Sequence, residues 1–204
     1  MSEVSAALVR ELRDKTGAGM MDCKRALGES NGDLDKAVVY LREKGLAAAA
    51  KRATRAASEG TVGSYIHAGG KIGVLIEVNC ETDFVARTPQ FQTLVKELAM
   101  QVAAANPRFV VRDEVPPALL ETEREIYRAQ AASSGKPAAV IEKIVDGKID
   151  KFFADVCLLE QPCIKDPQKS VHQLVTDTIA QLGENLVVRR FARFQLGEAS
   201  ETKG

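Results

Sequence analysis

Apolar residues recur at helical spacing at the start of the chain and switch to strand spacing about sixty residues in. Val4, Leu8 and Leu12 lie four apart and the run stops at Gly17; a second helix fits Met20 to Leu27. A third begins after Asp33 as N-cap, burying Leu34, Ala37, Val38 and Leu41 before Gly45. Residues 1–45 thus read as a compact three-helix unit, too small for an enzyme and suited to interaction. An Ala/Lys/Arg helix, Leu46 to Ser58, links it to the rest (46–58).

Thr61 to Ile66 and Ile72 to Cys80 then flank the loop His67 to Lys71, and Ile72, Val74, Ile76, Val78 and Cys80 share one face with period two, which predicts a hairpin with a buried side. Thr88 as N-cap and Pro89 at N1 open a helix whose apolar stripe (Phe91, Leu94, Val95, Leu98, Ala99, Val102) should pack on that sheet. Pro116 to Ser133 is a charged helix with few apolar anchors. After Gly135 come Val140, Ile141, Ile144 and Val145, then Ile149, Phe152, Phe153 and Val156, which suggest helices projecting from the core. Ser170 with Gln173 forms a capping box for a helix ending at Gly183.

The last strand, Asn185 to Leu196, puts Leu186, Val188, Ala192, Phe194 and Leu196 on one face. Val187, Arg189, Phe191 and Arg193 lie on the other, where an aromatic beside arginines suits a subunit contact as well as an ordinary half-exposed strand. The fold class is therefore α+β: the three-helix domain, then a core over 59–197 with an antiparallel sheet, packed helices and a dimerisation surface, and a polar tail over 198–204.

At 204 residues, 45% apolar and 27% charged, the chain has globular composition, and its apolar stretches are broken well before the roughly 20 residues of a membrane span. The opening MSEVSAALVRELRDK mixes acids and bases within an apolar period and does not resemble an export signal. Cys23, Cys80, Cys157 and Cys163 form no CxxC pair and there are two histidines, so neither a disulfide framework nor a metal site is favoured; a reducing cytoplasm fits. Zero formal net charge argues against a nucleic-acid partner. The local basic stretch Lys44, Lys51, Arg52 and Arg55 reads as a solvated helix face, with RNA contact as its rival.

Phosphate-binding loops, nucleophile elbows and HExxH are absent, and no cofactor is implied. The informative segment is Glu77 to Arg87, which leaves a buried strand just before a well-capped helix. Phe84 there is either a plug of the core or an aromatic anchor displayed by a stiff scaffold.

Two long runs decide between them. Leu12-Arg13-Asp14-Lys15-Thr16-Gly17-Ala18-Gly19-Met20-Met21-Asp22-Cys23-Lys24-Arg25-Ala26-Leu27, and Glu77 to Arg87 centred on Thr82-Asp83-Phe84-Val85, resemble the bacterial elongation factor Ts family without gaps. Asn31-Gly32-Asp33, Gln161-Pro162 and Arg193 to Glu198 extend the likeness over nearly everything but the tail. The resemblance implies a ubiquitin-associated-like N-terminal domain that docks on the translational GTPase elongation factor Tu through Arg13, Met20 and Met21. It further implies that Thr82, Asp83, Phe84 and Val85 reach the GTPase near its Mg²⁺, where the ring wedges between helices and GDP is released. Such a protein makes and breaks no bond and needs no cofactor. Longer members carry two related halves in the core; this chain resembles the short form, which implies a homodimer built on the last strand and adjacent sheet. A binding module that does not release nucleotide is the alternative.

Overall fold

A computed structural model describes residues 4–133 and 137–198. Gly135 and nearly all of the expected polar tail lie outside them. The elements run α1 (Ala6–Thr16), α2 (Met20–Glu29), α3 (Leu34–Arg52), β1 (Glu59–Ile66), β2 (Ile72–Cys80), α4 (Asp83–Ala86), α5 (Pro89–Ala105), α6 (Pro117–Ala132), α7 (Ala138–Val156), α8 (Val171–Leu182) and β3 (Val187–Gln195), an α+β arrangement. The described residues fall into two compact units. One comprises those of Met1–Thr61, Val78–Leu94 and Gln173–Val187, and the other those of Val62–Glu77, Val95–His172 and Val188–Gly204.

In the first unit, α1 to α3 close over Val9, Leu12, Cys23, Ala26, Leu27 and Ala37. The Ser5 hydroxyl caps α1 by accepting from Leu8 N–H at 3.3 Å, and the Asp33 carboxylate caps α3 by accepting from Lys36 N–H at 3.0 Å. Gly17 ends α1 at φ 67°, a left-handed position that disfavours any other residue. The third helix differs from its expected extent. It does not stop at Gly45 but runs on to Arg52, leaving only a short turn before β1. Gly45 serves close packing there instead of termination: a Cβ at that position would lie 3.2 Å from the Ala180 methyl of α8.

The three strands form one sheet in the order β1-β2-β3. The hairpin closes with His67 N–H donating to Ile72 O at 2.9 Å. β3 runs antiparallel to β2, since Leu196 N–H donates to Lys71 O at 2.8 Å while Arg190 pairs with Glu77 at 2.7 Å. Val74, Ile76, Val78 and Cys80 are buried, as the period-two pattern predicts. In the second unit, Gly63 leaves room for Val95 of α5, against which an added Cβ would collide. Gln101 of α5 is buried and satisfied: it donates to Gln161 Oε1 and Pro162 O and accepts from Ile164 N–H. The charged segment forms an antiparallel hairpin of α6 and α7 laced by Arg124–Asp146 and Arg128–Glu142 pairs, over a core of Val115, Val145, Ile149, Phe152, Phe153 and Cys157.

The two faces of β3 change character along the strand. Arg193, on the face read as suiting a subunit contact, is almost covered and donates to Ala103 O of α5 at 3.3 Å, so the later part of that face turns toward the chain's own helix, while Val187 and Arg189 before it are exposed. The opposite face opens only toward the end of the strand: Leu186 and Val188 are buried, whereas Phe194 and Leu196 are 67% and 76% exposed, alongside exposed Leu75, Val62 and Ile66 of the neighbouring strands.

Candidate functional site

β2 ends at Cys80, which is fully buried, and the chain then makes a single helical turn before α5. Thr82 sits in extended conformation (φ −129°, ψ 151°) and its hydroxyl accepts from Val85 N–H at 3.3 Å, capping α4. Thr88 stitches α4 to α5: its N–H donates to Val85 O at 3.0 Å, its hydroxyl donates to the same carbonyl at 2.8 Å and accepts from Phe91 N–H at 3.3 Å. Gln92 closes the turn from the next helix, donating to Ala86 O at 2.6 Å. The segment expected as a plain connection is thus a helical turn held by several hydrogen bonds.

That turn has an inside and an outside. Val85 is only 7% exposed and Ala86 is likewise buried, whereas Phe84 is 77% exposed, which rules out the core-plug reading of this ring. Asp83 is on the outside too, its carboxylate paired with Arg87 one turn on at 2.7 Å. The pair is largely exposed and contributes little to stability.

A second segment holds the turn from a distance of about a hundred residues. The Glu184 carboxylate accepts from Glu81 N–H and Thr82 N–H, both at 3.1 Å, and from the Thr82 hydroxyl at 2.7 Å. Reciprocally, the Glu81 carboxylate accepts from Asn185 N–H at 2.7 Å and meets the Arg55 guanidinium at 3.4 Å. Asn185, buried at 3%, donates its side-chain amide to Arg55 O at 2.8 Å. Cys80 donates its S–H to Thr82 O at 3.1 Å; burial first, and then the Glu184 charge, push this thiol above its ordinary value, which keeps it a donor.

Sequence reasoning missed Glu184, which fell between a helix and a strand, and took Asn185 only as the first residue of the last strand, which in the structure begins at Val187. A local signal existed: two consecutive polar residues between Gly183 and the buried Leu186. Their partners, however, lie too far away in sequence for spacing to reveal.

Of the other sequence candidates, Met20 and Met21 are 60% and 71% exposed in the first turn of α2, and Arg13 is exposed near the end of α1. Adjacent helical residues point apart, yet both methionines are open because the first turn of α2 has little packed over it. The basic stretch is dispersed. Arg55 is engaged with Glu81, Lys44 lies over the Tyr40 ring at 5.4 Å, and Arg52 has its Nε and Nη1 buried without a hydrogen-bond partner among the described residues. No group of three or more His, Cys, Asp and Glu among the described residues is arranged to hold a metal ion, and no described helix is long and apolar enough to cross a membrane.

The arrangement can do one thing plainly: present an aromatic ring and a carboxylate on a tightly held turn. The family model described as elongation factor TS matches residues 30–198, and so covers this turn and both segments that hold it. Relatives named elongation factor Ts match over nearly their whole lengths. The Geobacter sulfurreducens protein is 64% identical over 98% of this chain and 93% of its own. The Thermoanaerobacter sp. protein is 61% identical over 98% of each, and that of Caldanaerobacter subterraneus is 61% identical over 97% of this chain and 99% of its own. With the family model matching residues 30–198 and these relatives matching nearly the whole chain, the chain belongs to the elongation factor Ts family.

Proposed function

We propose that this translation elongation factor accelerates the release of GDP from the GTPase elongation factor Tu. The helices of residues 1–45 dock through Arg13, Met20 and Met21, residues 46–58 link, and the core over 59–197 delivers Phe84 and Asp83 to the neighbourhood of the bound Mg²⁺. The observation that supports this reading is the Phe84 ring, large, apolar and 77% exposed on a turn whose backbone is tied on every side. An exposed aromatic on a stiff support loses little conformational entropy on insertion, so most of its buried area becomes available to force a partner's elements apart. Thr82 caps the turn and Val85 anchors it from inside.

Mg²⁺ bridging phosphate oxygens is the largest local positive charge in such a GTPase site, so shifting it leaves the diphosphate poorly neutralised. Reciprocity completes the cycle: if the factor weakens GDP binding by some ratio, GDP weakens the factor's binding by the same ratio, and abundant GTP displaces the factor in turn. No bond is made or broken by this chain, which acts as an exchange factor in the cytoplasm and holds no cofactor. The open sheet face (Val62, Ile66, Leu75, Phe194, Leu196) is where a second copy would pack to form the homodimer, since a contiguous exposed apolar face favours association.

The test is stopped-flow release of a fluorescent GDP from elongation factor Tu. Wild type should accelerate release strongly, and Phe84→Ala and Asp83→Ala should each lose most of that acceleration while docking persists. Equal rates for all three would refute the wedge, and no stimulation by wild type would leave a binding module.

A further inference from the structure

We infer that Glu184 and Asn185 are positioning residues: they fix where the Phe84 turn stands relative to the helices that carry Arg13, Met20 and Met21. The inference rests on the wedge reading above. Its basis is that the end of α8 and the turn after it make polar or packing contacts with both regions at once. Gln181 donates to Thr16 O at the end of α1 at 3.1 Å, four residues before Met20, and Ala180 packs so near Gly45 of α3 that a Cβ there would lie 3.2 Å from its methyl. Glu184 gathers three donors from Glu81 and Thr82, and Asn185 ties Glu81 to the backbone at Arg55, where the chain leaves α3.

The chemistry suits a fixed point. A carboxylate is acceptor-only, and here one oxygen takes two successive backbone N–H groups while the other takes a hydroxyl, which defines the direction in which the chain leaves β2. Those two N–H groups lie between the last residue of β2 and the first of α4, and without Glu184 they would turn to water and let the turn swing. Thr82 transmits the constraint: its hydroxyl donates to Glu184 and accepts from Val85 N–H, so the anchored residue is also the cap of the turn that displays Phe84. A wedge that swings gives up part of its thrust, and displacements of about 1 Å remote from a reacting centre can cost roughly 100-fold in rate.

The experiment uses the full chain with elongation factor Tu and fluorescent GDP, measuring the maximal release rate and the factor concentration that gives half of it. Glu184→Ala is expected to lower the maximal rate roughly 10- to 100-fold with little change in half-saturating concentration. Glu184→Gln should recover most of the rate, because its amide oxygen still accepts the two N–H groups and its NH₂ can donate to the Thr82 hydroxyl. In a Phe84→Ala background, Glu184→Ala should cost nothing further, since no ring remains to aim. Glu184→Ala equal to wild type while Phe84→Ala is impaired overturns this inference and leaves the wedge standing; an equal loss in the Phe84→Ala background also overturns it. Failure of wild type to stimulate release removes both. Should Glu184→Ala not fold, Thr82→Val against Thr82→Ser carries the same test: the hydroxyl-bearing variant should keep the rate and Thr82→Val lose it, and equal rates overturn the inference.

Discussion

Two neighbouring residues give the sharpest test of the turn, because one points out and the other in. Phe84→Ala removes a ring that is already 77% exposed, so the folded chain loses few contacts and its stability should change by less than about 0.5 kcal/mol, as at an ordinary surface position. Val85→Ala removes two methyl groups from a site that is 7% exposed. At about 0.8 kcal/mol per group plus a cavity contribution, the expected loss is around 2 kcal/mol. For a chain of 204 residues that lowers the melting temperature by roughly 4 to 8 °C.

The release assay should rank the pair the other way. An aromatic anchor at the centre of an interface is worth at least about 2 kcal/mol, or roughly 30-fold, so Phe84→Ala should lower exchange activity by that factor or more at unchanged melting temperature. Val85→Ala, measured well below its melting temperature, should keep more activity. Circular dichroism melts and stopped-flow release on the same preparations check both halves. A melting temperature that falls as far for Phe84→Ala as for Val85→Ala would mean the ring belongs to its own core, and the reasoning would fail.

Cys157 is buried, and burial, reinforced by Glu160 and Glu114 against an opposing Arg112, pushes its thiol up to about 11 from 9.0. Because the folded value exceeds the unfolded one, its stabilisation is complete below pH 9 and is lost as pH rises toward 11; denaturant titrations should show Cys157→Ala with a shallower decline over that window, and parallel declines would refute it. On the proposed dimer, wild type is expected to sediment as a dimer and Phe194→Asp, which places a charge on the open sheet face, as a monomer with the melting transition retained; identical sedimentation would exclude that face as the contact.

Much of the fold is legible in the sequence where the signal is local. The period-two run of β2, the Thr88-Pro89 start of α5, the Gly17 and Gly183 stops and the Asp33 cap each involve residues within about four positions of one another, and each appears in the structure. The failures share a different cause. Gly45 reads as a helix end because a glycine after an apolar run usually marks one, but its role is set by Ala180, 135 residues away (180 − 45). The inward turn of Arg193 likewise depends on Ala103 of α5, which strand alternation cannot register. The site divides in the same way: the Thr82 to Val85 run stands out as a motif, whereas the carboxylate that holds it comes from Glu184.

The exposed apolar side chains also sort by unit, and this bears on how one small chain can serve two contacts. Met20, Met21 and Phe84 all belong to the first unit, while Leu75, Phe194 and Leu196 belong to the second. A surface shared between two partners would force them to compete. The two proposals draw on different residues, so a second copy covering the sheet would consume none of the side chains proposed to meet the GTPase. The turn has its own anchorage. Its fixed points, Gln92, Glu184 and Asn185, are drawn from the first unit alone, so the rigidity of the ring does not depend on the surface proposed for the dimer.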